Sequence, residues 1–198
     1  MNSPSQQTIQ TYNEHVQDYV NHAQRDVPTS VKRLIDKAVA GYSKRSRILE
    51  IGSATGRDAA YLQSLGYAVE CSDAPPKFVR LLKQNGFNAR KINAITDELD
   101  SGYDLVFANA VLLHFTREET KIVIGKIYRA LIDHGRFAFA LQRGEGEEWK
   151  KNLSNAPRYF CYWGDEQIQA LIKRIGFAKV ETTDIEPADR WMHVIAYK

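Results

Sequence analysis

The chain has 198 residues, a length that favours one domain with a substantial hydrophobic core. Hydrophobic residues make up 43% of the sequence and charged residues 26%, which is ordinary for a soluble globular protein. The net charge of +3 is too small to indicate a nucleic-acid-binding protein by itself.

Targeting signals and metal motifs are not apparent in the sequence. No apolar run approaches the ~20 residues that span a bilayer, and the polar first ten residues lack the apolar centre of a signal peptide. The two cysteines, Cys71 and Cys161, indicate no disulfide framework and fit a reducing compartment. No Cys/His cluster has metal-ligand spacing, so we expect a cytoplasmic protein with no metal and no membrane partner.

Two helices are predicted at the N-terminus. A helix over 5–22 follows from one apolar face, formed by Ile9, Tyr12, Val16, Tyr19 and Val20. A second helix is predicted over 28–40, because a proline suits its first turn and a glycine follows it. We interpret 1–44 as an N-terminal helical cap on a domain over 45–198, the two forming one compact unit.

From residue 47 onward, predicted strands and helices alternate. The predicted strands are 47–51, 67–72, 87–92, 103–108, 135–141, 177–185 and 191–197. The predicted helices between them are 57–65, 76–85, 117–132 and 165–175, and 142–163 is predicted to be a loop. Repeated βα units require parallel strands with right-handed crossovers, which predicts a layered α/β sheet. The last two strands are joined by the short connection Glu186 to Arg190, so they should pair antiparallel.

The segment 47–58 is the most informative part of the chain. The apolar strand Ile48–Ile51 stops at Gly52, and small residues lead through Gly56 into a helix. Such a loop lets backbone N–H groups and a helix N-terminus approach a ligand closely. The dinucleotide fingerprint would need G-x-G-x-x-G, which is absent. Glu50, at the strand end, would repel a phosphate and favours a cationic or zwitterionic ligand.

This segment resembles the first motif, E/D-x-G-x-G-x-G, of the class I S-adenosylmethionine-dependent methyltransferases. Glu50, Gly52 and Gly56 match the motif, whereas Ala54 stands in place of the middle glycine. A sheet that ends in an antiparallel hairpin is also the architecture of that family, so the resemblance covers about residues 45–197. It implies a Rossmann-like seven-stranded, mostly parallel sheet with helices on both faces. The alternative is an ordinary βα turn in another α/β protein.

The resemblance implies S-adenosylmethionine as cofactor and assigns contacts to successive strand ends. Asp73 would accept from the ribose hydroxyls, or else it caps the helix 76–85. Asn93 would accept from the adenine amino group, or else it forms a turn. Asn109 and Ala110 would line the sulfonium side. The expected cofactor contacts are Glu50, Gly52, Ser53, Ala54, Gly56, Asp73, Ala74, Asn93, Ala94, Asn109, Ala110, Tyr12 and Tyr19.

Two of these expectations depend on local geometry. Tyr12 and Tyr19 are seven residues apart and share a helix face. They would cover the methionine end of the cofactor, or else they are plain core contacts. A side chain at Gly56 is expected to enter the space of the ligand.

The acceptor site is predicted near the fourth and fifth strands. His114 follows the fourth strand and is the candidate general base, although it could simply flank a helix. The predicted loop 142–163 is longer than a strand-to-helix connection requires, which is typical of functional loops. Within it Arg143, Arg158 and Tyr159 are predicted to bind the acceptor, and the loop could act as a lid. The alternative is a surface loop whose aromatic side chains pack on the sheet.

The sequence thus predicts an S-adenosylmethionine-dependent methyltransferase that acts on a small-molecule acceptor. An RNA base, for example in tRNA, is a second candidate acceptor. It ranks lower because the Lys and Arg residues are scattered along the chain. A third possibility is a module that binds S-adenosylmethionine or S-adenosylhomocysteine without catalysis.

Overall fold

The computed structural model describes residues 3–153, 155–183 and 190–198. The helices are α1 Pro4–Glu14, α2 Val16–His22, α3 Thr29–Val39, α4 Arg57–Ser64, α5 Pro76–Gln84, α6 Arg117–Ala130 and α7 Asp165–Ile175, with a short 3₁₀ turn at Leu112–His114. The strands are β1 Ile48–Ile51, β2 Val69–Asp73, β3 Ala89–Lys91, β4 Tyr103–Asn109, β5 Leu131–Gln142, β6 Glu147–Leu153, β7 Ala156–Cys161, β8 Lys179–Thr183 and β9 Trp191–Tyr197.

Seven strands form one sheet in the order β3-β2-β1-β4-β5-β9-β8. Strands β1 to β5 are mutually parallel, and β9 runs antiparallel to both of its neighbours, β5 and β8. The predicted Rossmann-like fold class is therefore confirmed. The strand order reverses between the neighbouring strands β1 and β4. Ligands of such sheets bind at this switch point, outside the carboxyl ends of the strands.

Both faces of the sheet are buried. Leu49 and Val106 belong to the core on one side, whereas Ile48 and Leu105 belong to the core on the other. Side chains alternate between faces along a strand, so these apolar runs require helices on both sides. Helix α3 contributes Leu34, which is fully buried, to the second core. The predicted boundary between residues 44 and 45 stays a prediction.

The predicted loop 142–163 is wrong, because most of it is a β-hairpin. Strands β6 and β7 pair antiparallel, with Trp149 opposite Tyr159 and the two rings packed edge to face. Strand β7 buries Tyr159, Phe160 and Cys161 in the first core. Pairing the two strands gives their backbone groups hydrogen-bond partners, which a buried loop would lack.

Two helix boundaries differ from the prediction, and one predicted connection lies mostly outside the residues that the structure describes. The predicted helix 5–22 is interrupted at His15, whose φ of −109° and ψ of 29° are not helical. Helix α6 ends at Ala130, because Leu131 is already extended and starts β5. The predicted connection from Glu186 to Arg190 lies largely outside the described residues. In the described part of the chain, no helix is long and apolar enough to cross a bilayer.

Candidate functional site

A cavity of about 320 Å³ lies at the carboxyl ends of the parallel strands. Its floor comes from the loop after β1, the ends of β2 and β4, and the segment after β3. Its roof comes from α1, α2, the start of α5 and strand β7. A second cavity of about 540 Å³ adjoins it and extends towards α2 and α3. The walls shared by the two cavities are Tyr19, Gly52, Ala54, Asn109, Ala110, Arg158 and Trp191.

Most residues predicted from the sequence meet at the first cavity. Those that line it are Tyr12, Tyr19, Gly52, Ala54, Asp73, Ala74, Asn93, Ala94, Asn109, Ala110, His114 and Arg158. Ser53 lines the second cavity only. Glu50, Gly56, Arg143 and Tyr159 line neither of the two.

The loop after β1 curls over the strand end through three left-handed backbone positions. Gly52 has φ +73°, Gly56 has φ +84°, and Ala54 has φ +48°. Ala54 thus adopts, in place of the motif's middle glycine, a conformation that glycine favours. The N–H groups of Gly52 and Ser53 donate to the Ser72 carbonyl at 2.8 and 2.9 Å, which ties the loop to β2.

The two glycines of this loop are needed because other side chains occupy the space beside them. A Cβ at Gly52 would overlap Val111, which follows β4. A Cβ at Gly56 would lie 2.5 Å from Cε2 of Phe87. The expectation that a side chain at Gly56 would enter the ligand space is therefore wrong, because that direction leads to the Phe87 ring.

Asp73 joins the end of β2 to this loop. Its Oδ2 accepts a hydrogen bond from the Ala54 N–H at 2.8 Å, and the Ala74 N–H also donates to the carboxylate. Burial raises the pKa of Asp73 to about 7, although the two backbone donors oppose the shift. Helix α5 has Pro75 at its N-cap position and no side-chain cap, so Asp73 does not act as its cap.

A second buried carboxylate, Glu50, lies next to Asp58. Glu50 is 2% exposed, and its Oε2 has no hydrogen-bond partner within the described parts of the chain. Burial, followed by the nearby Asp58 charge, raises the pKa of Glu50 to about 8. Asp58 itself accepts from Arg57 Nε and from Asn109 Nδ2, both at 2.7 Å.

This acidic pair fits a ligand that brings a positive charge. A buried carboxylate oxygen without a donor is costly, and an ammonium group would supply both the donor and the charge. The α-amino group of S-adenosylmethionine has this chemistry, so the donor set fits that cofactor. Sequence reasoning missed Asp58, which lines the second cavity. The available signal was an acidic residue in the first turn of the helix that follows the glycine loop.

Asn93 forms a turn, which is the alternative that the sequence left open for it. Its Oδ1 accepts from the Ile95 N–H at 3.1 Å, and its own N–H donates to Asp97 Oδ2 at 2.9 Å. The side chain still lines the cavity beside buried Ile92 and Ala94. An amide oxygen has two lone pairs, so one remains for a ligand donor, and the adenine contact stays a prediction.

Tyr12, His114 and Arg158 are linked by hydrogen bonds under the roof. Tyr12 Oη lies 2.9 Å from His114 Nε2, and Arg158 Nη1 donates to Tyr12 Oη at 2.7 Å. His114 Nδ1 lies 2.7 Å from the Tyr159 carbonyl, which can only accept. Nδ1 must therefore carry the proton, and Nε2 accepts from the Tyr12 hydroxyl.

Burial keeps both members of the Tyr12–His114 pair neutral. Desolvation raises the pKa of Tyr12 to about 12 and lowers the pKa of His114 to about 4. The His114 imidazole is thus a weak proton acceptor at neutral pH, and its lone pair is already occupied by Tyr12.

Two predicted acceptor residues lie away from the cavity. Arg143 makes a paired contact with Asp165 at 2.8 and 3.1 Å and also donates to the Trp191 carbonyl, so it fixes the start of α7. Tyr159 is 3% exposed and faces the core. The residues that line the first cavity and were not predicted from the sequence include Gln142, Phe160 and Trp191.

Comparisons with known proteins agree with this geometry. Residues 49–139 match the sequence profile of the family described as "Methyltransferase domain". This range contains most of β1, the glycine loop, Asp73, Asn93 and the end of β4. No curated protein sequence gives a match to the chain.

Solved structures of methyltransferases share the fold at low sequence identity. The 1,6-didemethyltoxoflavin-N1-methyltransferase of Burkholderia thailandensis superposes with a TM-score of 0.74 at 19% identity, covering 100% of this chain and 91% of its own. Phosphoethanolamine N-methyltransferase 2 of Haemonchus contortus gives 0.78 at 15%, covering 100% of this chain and 60% of its own. A methyltransferase of Methanosarcina mazei gives 0.67 at 16%, covering 87% and 98%.

These likenesses establish the fold of the chain, and the profile match identifies a methyltransferase-like segment within it. The matched segment supplies the strand ends and the loop that surround the first cavity. The segment 49–139 is thus similar to the methyltransferase domain, and neighbours that share the fold were solved with S-adenosylmethionine or S-adenosylhomocysteine.

Proposed function

We propose that this methyltransferase acts on a small molecule that enters the roofed cavity. The observation that carries the proposal is the closure of the strand-end cavity by α1 and the β6–β7 hairpin. The Tyr159 N–H donates to Thr8 Oγ1 at 3.0 Å, and Thr11 Oγ1 donates to the Pro157 carbonyl at 2.8 Å. Ser5 adds a bond from α1 to Glu119 at 2.6 Å. An acceptor must therefore fit under a roof held by several hydrogen bonds.

The names of structural neighbours support an acceptor of this size. The Burkholderia thailandensis enzyme was solved with 1,6-didemethyltoxoflavin and S-adenosylhomocysteine. The Haemonchus contortus enzyme was solved with phosphomonomethylethanolamine and S-adenosylhomocysteine. Both acceptors are small molecules. At 19% identity or less, these names suggest a class of acceptor and no particular compound for this chain.

The chain's own residues divide between the two reactants. Asp58, which lines the second cavity, would hold the amino group of the cofactor with the buried Glu50 behind it, and Asp73 would accept from its ribose. Phe160 and Trp191 line the same cavity and are left for the acceptor. When bound, the cofactor supplies an electrophilic methyl group on a sulfonium ion. An acceptor lone pair would take up this methyl group, and Asn109 and Ala110 would line the side of the cavity on which the two meet.

The protein's contribution is then alignment and exclusion of water. Because His114 is neutral and already accepts from Tyr12, it is poorly suited to remove a proton before transfer. This favours an acceptor atom that already has a free lone pair at neutral pH, such as an unprotonated nitrogen.

Transfer of label decides between the candidate functions. The protein is incubated with methyl-labelled S-adenosylmethionine and, separately, with a small-metabolite extract and with purified RNA. We expect label in the metabolite fraction. Label in RNA alone would identify a base methyltransferase. Calorimetric binding of S-adenosylhomocysteine without transfer to either fraction would identify a non-catalytic module.

A further inference from the structure

The first cavity contains a single cationic side chain. Among the described residues that line it, Arg158 is the only Lys or Arg. It stands on β7 and also lines the second cavity, so it lies where the two cavities meet. Its guanidinium carbon is 5.3 Å from the centre of the Tyr12 ring and 5.5 Å from that of Phe160. Two aromatic rings therefore flank the guanidinium.

A chain of hydrogen bonds fixes the direction of this guanidinium. Arg158 Nη1 donates to Tyr12, Tyr12 donates to His114 Nε2, and His114 Nδ1–H donates to the Tyr159 carbonyl. The chain begins and ends on adjacent residues of β7. Each member is held by the next, so Arg158 is oriented before any ligand arrives, and pre-orientation lowers the entropy cost of binding.

We propose that the methyl acceptor carries a carboxylate or phosphate group that Arg158 binds, and that Tyr12 and His114 are positioning residues for Arg158. The proposal rests on the proposed function and names the class of its acceptor. A planar guanidinium presents paired N–H donors that match the oxygens of either anion. Phe160 and Trp191 line the same cavity and would contact the apolar part of the acceptor.

Anion binding can be measured without knowing the acceptor. Inorganic phosphate is titrated into the S-adenosylhomocysteine complex and followed by NMR chemical shifts. We expect Arg158→Gln to weaken phosphate binding at least tenfold. The matched control is Arg80→Gln, which removes the same charge from an exposed position on α5 and should bind like the unmodified protein. Equal phosphate affinity in Arg158→Gln and Arg80→Gln would overturn the proposal.

The competing ligand for Arg158 is the carboxylate of the cofactor itself. 5′-Methylthioadenosine lacks the amino-acid part of S-adenosylhomocysteine, so the two ligands separate the possibilities. We expect Arg158→Gln to leave the dissociation constants of both nearly unchanged. A large loss for S-adenosylhomocysteine alone would assign Arg158 to the cofactor and overturn the proposal.

The positioning role of His114 has its own test. His114→Gln keeps a donor and an acceptor on the side chain, whereas His114→Ala removes both. If His114 positions Arg158 through Tyr12, the alanine variant should raise KM for the acceptor severalfold with kcat nearly kept. The glutamine variant should restore much of that loss. A large fall in kcat that is equal in both variants would show a general base instead.

The charge of the product tests the acceptor class directly. Labelled product from the metabolite extract is passed over an anion-exchange column at neutral pH. Retention supports an anionic acceptor, and label in the flow-through overturns the proposal while leaving the proposed function intact. If no label is transferred at all, the proposed function fails, and the phosphate titration still decides whether Arg158 forms an anion site.

Discussion

The carboxylate of Asp73 holds the backbone N–H of Ala54 at 2.8 Å, so the end of β2 fixes the loop that follows β1. Asp73 also lines the cavity, so the proposed contact with the ribose would add a binding role to this structural one. The two roles can be separated with one variant that removes only the charge of Asp73 and another that also removes its hydrogen-bond acceptor.

Asp73→Ala should therefore lose both affinity and stability. Loss of a charged acceptor should raise the dissociation constant of S-adenosylhomocysteine roughly tenfold to hundredfold. Because the Ala54 N–H is left without its acceptor, the free energy of unfolding should fall by about 1–3 kcal/mol. Asp73→Asn keeps an oxygen for Ala54, so it should recover most of the stability and only part of the affinity. Calorimetry and urea denaturation measure the two effects, and full affinity in Asp73→Ala would contradict the ribose contact.

Gly56 and Gly86 form a matched pair for testing the loop. Both have φ +84°, but a Cβ at Gly56 meets Phe87 whereas one at Gly86 meets nothing within 4 Å. Gly86→Ala should cost only the left-handed strain, about 1–2 kcal/mol. Gly56→Ala should lower the free energy of unfolding further, because the Phe87 ring must move. Equal midpoints of denaturation for the two variants would show that the Phe87 ring can move aside without lowering the free energy of unfolding.

Glu50 and Asp73 should make the cofactor-free protein less stable as the pH rises. Glu50 has a pKa of about 8 when folded and an ordinary value of 4.5, and Asp73 has about 7 against 3.8. Between these values the two carboxyl groups bind more protons in the folded state, so their contribution to the free energy of unfolding decreases from about pH 4 to about pH 8. His114, with a pKa lowered from 6.5 to about 4, offsets part of this decrease between those two values. Glu50→Gln should flatten part of this decrease in chemical denaturation.

Glu50→Gln should stabilise the fold at high pH but weaken the binding of the cofactor. Glu50→Gln removes the charge that would hold the amino group, so S-adenosylhomocysteine should bind more weakly at pH 8. A variant that is more stable at pH 8 and yet binds the ligand less tightly would separate folding from function. Unchanged ligand affinity would contradict the assignment of Glu50.

Thr8 should control how firmly the roof closes. It is 2% exposed, and its Oγ1 accepts from the Tyr159 N–H. Thr8→Val has the same shape but leaves that N–H without a partner, so we expect a loss of about 1–3 kcal/mol. Hydrogen exchange of α1 amides should accelerate in Thr8→Val, whereas Thr8→Ser keeps the hydroxyl and should remain protected. Identical protection in both variants would show that the apolar contacts alone hold α1.

The alternation of strands and helices could be predicted because the spacing of apolar residues indicates most of these elements. Ile48–Ile51 is buried at all four positions, and its apolar side chains at 48, 49 and 51 lie on both faces, which is typical of a parallel strand. The positions of Gly52, Asp73 and Asn109 follow from their places at strand ends, which the fold brings to one edge of the sheet. Local sequence and global topology agree at these residues.

The contribution of Phe160 to the cavity could not be predicted, because the segment 156–161 was expected to be part of a loop and is strand β7. Along a strand, neighbouring side chains point to opposite faces. Arg158 and Phe160 line the cavity, whereas Tyr159 between them is buried in the core. Once 156–161 is interpreted as a strand, Arg158 and Tyr159 cannot both bind the same ligand. Asp58 was missed for a different reason, since its contact with Asn109 joins residues 51 positions apart.

The bond between Thr8 and Tyr159 also has a consequence for the synthesis of the chain. The two residues are 151 positions apart, and their bond helps to close the cavity. During translation, β1, β2 and the glycine loop leave the ribosome long before the hairpin does. A nascent chain can thus pair its first strands while α1 still lacks the surface of β7, so the contacts that close the cavity form among the last in the protein.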